Sequence, residues 1–281
     1  MKINRITAAY FSPTGNARRI VTEIAEMIAG QAGLPLQTFD FTLPEARKDV
    51  QRFGAGDLLV IGTPVYAGRI PNKILPAVQT LFEGNGALAV PVVTFGNRNF
   101  DNALIEMRME LEQHGFHTIA GGAFVSGHVF SDLLAPGRPD AEDIKFIWQF
   151  AQDIFSKING ISEGEKDGMA QIPAPVQVKG EDPIPGYYRP LGVDGKPAVF
   201  LKAKPKTTDA CDDCGLCARA CPMGSISSEN CRIVTGVCIK CQACIKICPV
   251  HAKYFDDEAF LSHVRMLEEN YTRPAENEVF L

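Results

Sequence analysis

Hydrophobic positions in the first 160 residues fall into two alternating patterns. Near-continuous apolar runs occur at Ile6–Phe11, Leu34–Phe41, Asp57–Gly62, Ala87–Phe95 and Ile119–Val125. Their length and the β-branched content of several suit strands buried on both faces. Between them, apolar residues return at helical spacing. Asn16–Gly30, Asp101–His114 and Ala141–Lys157 are the predicted helices. Strand alternating with helix predicts an α/β domain over residues 1–160, with right-handed crossovers and a doubly wound parallel five-stranded sheet of order 2-1-3-4-5.

The pattern changes near residue 160. Residues 161–206 contain Pro173, Pro175, Pro183, Pro185, Pro190, Pro197 and Pro205 and little helical periodicity, as expected of an irregular connector. Tyr187, Tyr188 and Phe200 are costly to expose, so parts of it should pack across the neighbouring units. Residues 207–256 form a small α+β unit with an internal repeat. Residues 257–281 begin with a helix at Glu258–Asn270, carrying Phe260, Leu261, Val264 and Leu267, whose expected role is packing.

Chemistry enters with the cysteines. All nine lie between Cys211 and Cys248, in a chain with no secretory signal pattern. Two runs share one spacing: Cys211-x2-Cys214-x2-Cys217-x3-Cys221-Pro222 and Cys238-x2-Cys241-x2-Cys244-x3-Cys248-Pro249. Clustering of this kind points to metal rather than disulfides. Paired Cys-x2-Cys motifs also occur at zinc sites, but the three-plus-one spacing, twice, is that of bacterial-type ferredoxins. In two-cluster ferredoxins the fourth cysteine serves the other cluster. Cys211, Cys214, Cys217 and Cys248 therefore fall to one [4Fe–4S] cluster, and Cys238, Cys241, Cys244 and Cys221 to the other. Cys231 is left over and reads as a small buried hydrophobe.

A second candidate site lies where the predicted strands end. Ser12-Pro13-Thr14-Gly15-Asn16-Ala17 joins a strand to a helix N-terminus, which offers free N–H groups and hydroxyls to a phosphate. A plain turn with a capping threonine is the other reading of this loop. The loops Gly62–Pro71 and Thr94–Asp101 leave the carboxyl ends of strands three and four, where doubly wound sheets bind ligands. Pro64, Val65, Tyr66, Ala67 and Gly68 on the first, and Phe95, Gly96, Asn97 and Arg98 on the second, are candidates to flank a flavin ring. Tyr66 would stack on it, and Arg69 or Arg98 would steady its reduced, anionic form. Asp101 reads as a helix cap and His128 as a surface histidine.

Residues 4–159 resemble flavodoxins through Tyr10–Asn16, Pro64–Pro71 and Phe95–Arg98. With both cysteine runs, nearly the whole chain resembles the flavodoxin–ferredoxin fusion proteins of anaerobic bacteria and archaea, the ferrodoxins. The resemblance implies FMN at the three loops, with Ser12, Thr14, Gly15, Asn16 and Ala17 at the phosphate, and two [4Fe–4S] clusters. One departure stands out: Ala17 takes the place of the second threonine common in such phosphate loops.

The expectation is an electron-transfer protein working with a redox partner: a ferredoxin, a reductase or a terminal enzyme. A flavin-dependent reductase of a small substrate is the alternative, and a redox sensor a distant third. A net charge of −5 and the lack of a long basic run argue against nucleic acid. No apolar stretch reaches the ~20 residues of a membrane span, and a cytoplasmic location is expected. A homodimer is left open.

Overall fold

The protein is described by a computed structural model covering residues 2–163 and 172–281, so part of the expected connector, 164–171, lies outside the described residues. In chain order the N-terminal unit holds β1 (Arg5–Tyr10), α1 (Asn16–Ala32), β2 (Leu36–Asp40), β3 (Gln51–Arg52), β4 (Asp57–Pro64), α2 (Leu75–Leu81), β5 (Phe82–Glu83), β6 (Leu88–Phe95), α3 (Ala103–Gln113), β7 (His117–Thr118), β8 (Gly121–Val125) and α4 (Ala141–Glu163). The five long parallel strands lie in the order β2-β1-β4-β6-β8, with β3 and β5 paired apart and β7 alongside β6. This is the flavodoxin-like order.

The apolar runs explain the layering. Residues 58–61 and 88–90 are fully buried, so both sheet faces are covered. One face packs on α1 and α4, through Ile20, Ile24, Ile147, Phe150 and Ile154. The other packs on α2 and α3, through Val78, Leu81, Met107 and Leu111. Helix α1 runs past the expected end at Gly30 and stops at Gly33, whose left-handed φ of 65° closes it. Helix α2, absent from the sequence reading, is a short element with a proline in its first turn.

The C-terminal part holds β9 (Lys206–Thr207), α5 (Leu216–Arg219), α6 (Ala243–Lys246), β10 (Lys253–Tyr254), α7 (Glu258–Asn270) and β11 (Glu278–Phe280). β9 and β10 pair antiparallel and close the cysteine module at its ends. Asp257 caps α7 by accepting from the Phe260 N–H at 2.9 Å. Phe260 then contacts Phe130, Phe200 and Phe255, which ties together the N-terminal unit, the connector and the cysteine module.

The tail does more than pack. β11 joins the edge of the main sheet antiparallel to β8, pairing Glu278 with Ala123 and Phe280 with Gly121. The free edge of a parallel sheet offers unpaired backbone groups, and three residues suffice to cover it. Asn97 holds the approach. Its Nδ2 donates to the Tyr271 and Arg273 carbonyls, and its Oδ1 accepts from the Ala275 N–H at 2.9 Å. Its backbone φ is +64°, a conformation asparagine tolerates and alanine does not favour. Asn97→Gly should therefore cost about 2 kcal/mol in lost hydrogen bonds, and Asn97→Ala about 1 kcal/mol more. Urea midpoints would check this. Equal losses in the two variants would remove the backbone contribution.

Candidate functional site

The carboxyl ends of β1, β4, β6 and β8 open on a cavity of about 640 Å³. That is within the usual size for a cofactor or small ligand. Its walls come from every part of the chain. Ser12, Pro13, Thr14, Asn16 and Ala17 form one end, Pro64–Gly68 and Thr94–Gly96 with Arg98 the sides. Ser126–Phe130 follow β8, and Tyr187, Tyr188, Phe200 and Leu201 come from the connector. Val237–Lys240 belong to the cysteine module, and His263 and Leu267 to α7.

Helix α1 begins at Asn16 behind Gly15, which takes a φ of +92° as its N-cap without a side-chain bond. The Ser12 hydroxyl accepts from the Arg18 N–H at 2.9 Å, and Asn16 Nδ2 donates to the Gly127 carbonyl at 3.5 Å. Thr14 lines the cavity beside Ser12. Gly96 is required by its neighbour: a Cβ there would stand 2.4 Å from His128 Cδ2.

Several expected roles fall elsewhere. The Asn97 side chain is turned to the tail, and Gly15 is the N-cap of α1 between the cavity residues Thr14 and Asn16. Arg69 does not face the cavity: it pairs with the buried Glu106, donates to the Pro185 carbonyl at 3.0 Å and lies over the Tyr187 ring. Its charge is spent on holding the connector. Arg98 does line the cavity but pairs with Asp101 and stacks 4.2 Å over Tyr188. The residue before α3 is Asn102, not Asp101, and its Oδ1 accepts from Glu181 instead of capping the helix. The connector packs as expected: Tyr187 donates to the Ile70 carbonyl at 2.8 Å and the Tyr188 N–H to the Ala67 carbonyl at 2.9 Å. Burial, with Glu106 nearby, pushes the Tyr187 hydroxyl up to about 12.

His128 is a cavity residue, not a surface one. Its Nδ1 accepts from the Phe130 N–H at 3.1 Å, which leaves Nε2 as the protonated nitrogen of the neutral ring. Burial first, then the charges of His263, Arg98 and Lys246, lower it from 6.5 to about 4. His263, from the helix expected only to pack, sits opposite in tautomer: its Nδ1 lies 2.9 Å from the Leu191 carbonyl and must donate to it. A histidine kept neutral in the folded chain has no effect on stability above pH 6.5, where both states are neutral. As pH falls from 6.5 towards 4 the unfolded chain binds the proton first, so stability declines. His128→Asn should lose part of that decline in thermal unfolding; an unchanged slope would mean that His128 protonates in place.

The cysteine module repeats itself in backbone as well as sequence. Asp213 and Lys240, Gly215 and Gln242, and Gly224 and His251 stand at matching steps in the two runs, and all six have positive φ. After each Cys-Pro, an N–H four residues on points back at sulfur: Ser225 to Cys221 at 3.3 Å, Ala252 to Cys248 at 3.2 Å. Four of the six, Asp213, Lys240, Gln242 and His251, are not glycine and are held in the left-handed region at a cost of order 1 kcal/mol or more each. Such loops aim N–H groups inward at anionic sulfur.

Cys221, Cys238, Cys241 and Cys244 ring one apolar pocket with Ile226, Val234, Val237 and Ile239. This is the crossed set expected from the spacing. Burial raises the Cys241 and Cys244 thiols to about 12; binding a metal is what deprotonates cysteine ligands. Cys217 and Cys231 lie together in the module's apolar core, and Cys214 is exposed. Tyr66 joins the two sites. It lines the large cavity, and burial, then Cys241 and Cys238, raise its hydroxyl well above the usual value.

Residues 205–227 match one 4Fe-4S binding domain family and residues 235–254 a second. The C-terminal module is thus a pair of 4Fe–4S binding segments. No curated protein matches the chain. Among solved structures, a flavodoxin from the domain Archaea aligns over 55% of this chain and 99% of its own at 12% identity and a TM-score of 0.36. Flavodoxin 2 from Bacillus cereus aligns over 55% and 99% at 17% identity and 0.40. Rubredoxin oxygen:oxidoreductase from Desulfovibrio gigas aligns over 57% and 37% at 13% and 0.41. The strand order, not these scores, carries the fold. Among the described residues no helix is long and apolar enough to cross a membrane.

Proposed function

We propose that the chain passes electrons between a flavin mononucleotide in the large cavity and two [4Fe–4S] clusters held by its eight paired cysteines. One observation carries this reading: Val237–Lys240 line both the cavity and the pocket ringed by Cys221, Cys238, Cys241 and Cys244. A flavin in the first and a cluster in the second would share one wall within a single chain. Cys211, Cys214, Cys217 and Cys248 would hold the outer cluster, whose exposed Cys214 is the natural contact for a redox partner protein.

The residues present suit the cofactors. Thr14, Asn16 and the first N–H groups of α1 would bind the phosphate without a cation. Pro64–Gly68, Phe95, Gly96 and Arg98 would flank the ring, with Tyr66 between ring and cluster. Flavin supplies an exchange between one- and two-electron chemistry, and each cluster carries one electron. The protein's part is to position the groups, exclude water and set potentials. We place this function in the cytoplasm of an anaerobic cell.

A reductase reading has one observation in its favour: His128 presents a protonated Nε2 among the cavity-lining residues, where a substrate beside the ring would find a donor. Anaerobic analysis of the purified full chain separates the two. The carrier reading expects about eight irons and one FMN per chain and no turnover without a protein partner. Consumption of a small substrate with a nicotinamide donor alone would favour the reductase. Absence of iron would sink both.

A further inference from the structure

The two halves of the cysteine module match in backbone but not in charge. Asp213 and Lys240 each follow the first cysteine of their run by two positions, with φ of +54° and +55°. Ile226 and Lys253 occupy matching steps after the two Cys-Pro turns, and both are buried, at 7% and 3% exposure. The second run thus carries two lysines where the first has an acid and an aliphatic side chain.

Lys240 is 9% exposed. Its Nζ donates to the Leu201 carbonyl at 2.7 Å and the Cys238 carbonyl at 3.1 Å. Both partners are neutral. A buried ammonium held by neutral oxygens is unfavourable unless a counter-charge lies close. Asp257 supplies part of one and four thiolates around iron the rest, and the cluster's negative charge grows on reduction. Asp213 is exposed, with Oδ1 3.6 Å from Cys211 Sγ, so its opposing charge at the other set is screened by water.

Burial works the other way. Two of the inner four cysteines, Cys241 and Cys244, are buried, against Cys217 alone in the outer four, where Cys214 is exposed; desolvation alone would make the inner cluster the harder to reduce. Resting on the assignment of the eight cysteines to two clusters, we infer that Lys240 offsets this desolvation: it is a positioning charge that raises the potential of the cavity-side cluster and draws electrons inward from the exposed one. Lys253 is its internal comparison. Its Nζ donates to Thr207 Oγ1 at 2.7 Å and to the Cys231 carbonyl, and its charge is felt at Cys217 in one set and Cys244 in the other.

The test is an anaerobic redox titration of the full chain, followed by the paramagnetic signals of the reduced clusters. Lys240→Gln should move one of the two cluster waves to more negative potential by about 60 mV, a tenfold loss in its reduction equilibrium at 59 mV per decade. The other wave should stay in place, and Lys240→Arg should restore the first. Lys253→Gln should move both waves in the same direction. Unmoved waves in Lys240→Gln at full iron content would overturn the inference, as would equal movement of both. If Gln and Arg at 240 behave alike, in potential or in iron loss, the residue serves only its hydrogen bonds and the inference fails. Iron lost in Lys240→Gln but kept in Lys240→Arg supports it. A wild-type chain without iron would instead refute the cluster assignment on which it stands.

Discussion

Cys241→Ser is expected to leave about four irons per chain where the wild type holds about eight, and to stop electrons from the outer cluster reaching the flavin. Cys241 is a buried member of the set that rings the inner pocket, with Cys244, Cys238 and Cys221 as its nearest sulfur neighbours. A serine hydroxyl is a harder, weaker ligand for iron, and the apolar wall offers no replacement. The ninth cysteine will not rescue it, because Cys231 lies beside Cys217, in the other set. Cys214→Ser gives the contrast. It should also halve the iron, but from the exposed cluster, leaving the flavin and the inner cluster in contact. Reduction of the flavin by a protein donor should then fail in both variants, while photoreduction of the flavin itself persists in both. Unchanged iron in Cys241→Ser would sink the ligand scheme. Flavin reduction at wild-type rate in that variant, with iron halved, would mean that electrons reach the flavin by another route.

The legible parts of this chain are those whose cause is local. Four of the five strands, β1, β4, β6 and β8, could be read because residues buried on both faces must be largely apolar, whatever they touch; the edge strand β2 is half exposed and shows the pattern only weakly. The cysteine runs could be read because a metal site imposes its own spacing on the chain. The grouping of Cys221 with Cys238, Cys241 and Cys244 around one pocket follows the same spacing. The loops after β1, β4 and β6 were readable because a doubly wound sheet has one end at which ligands sit.

What the sequence hid is set by tertiary partners. Glu278–Phe280 is too short to show a period, and it becomes a strand because the edge at Gly121–Ala123 is open. Nothing in the sequence shows that the Asn97 side chain has three partners in the tail, at Tyr271, Arg273 and Ala275. Arg69 and Arg98 are similar in sequence context, yet one is consumed by Glu106 and the other stays in the cavity wall. Lys240 gave one signal in the sequence: it falls at the same step of its run as Asp213, and superposing the runs would have exposed the change of charge. His263 gave none, because its face of α7 is chosen by Phe200 and Leu191.

Glu106→Ala should be the most destabilising substitution outside the cysteine module, by about 3–5 kcal/mol. The carboxylate is 1% exposed and accepts from the Arg69 guanidinium and from the Ile70 N–H, at 2.9 Å for the latter. Removing it leaves a partly buried guanidinium unpaired and a buried backbone donor unmet. The effect should spread, because Arg69 also holds the Pro185 carbonyl and the Tyr187 ring. Loss of Glu106 therefore loosens the connector from the loop that flanks the flavin, and flavin affinity should fall with stability. A double-mutant cycle separates the two contributions. Arg69→Met alone leaves the carboxylate unpaired, while Arg69→Met with Glu106→Leu removes both charges and keeps apolar volume. If desolvated charge is the main cost, the double variant should be more stable than either single one, though still weakened in flavin binding because the contacts to Pro185 and Tyr187 are gone. Additive losses would instead mean that the two side chains act independently, and that the connector is held by its own hydrogen bonds at Ala67 and Ile70.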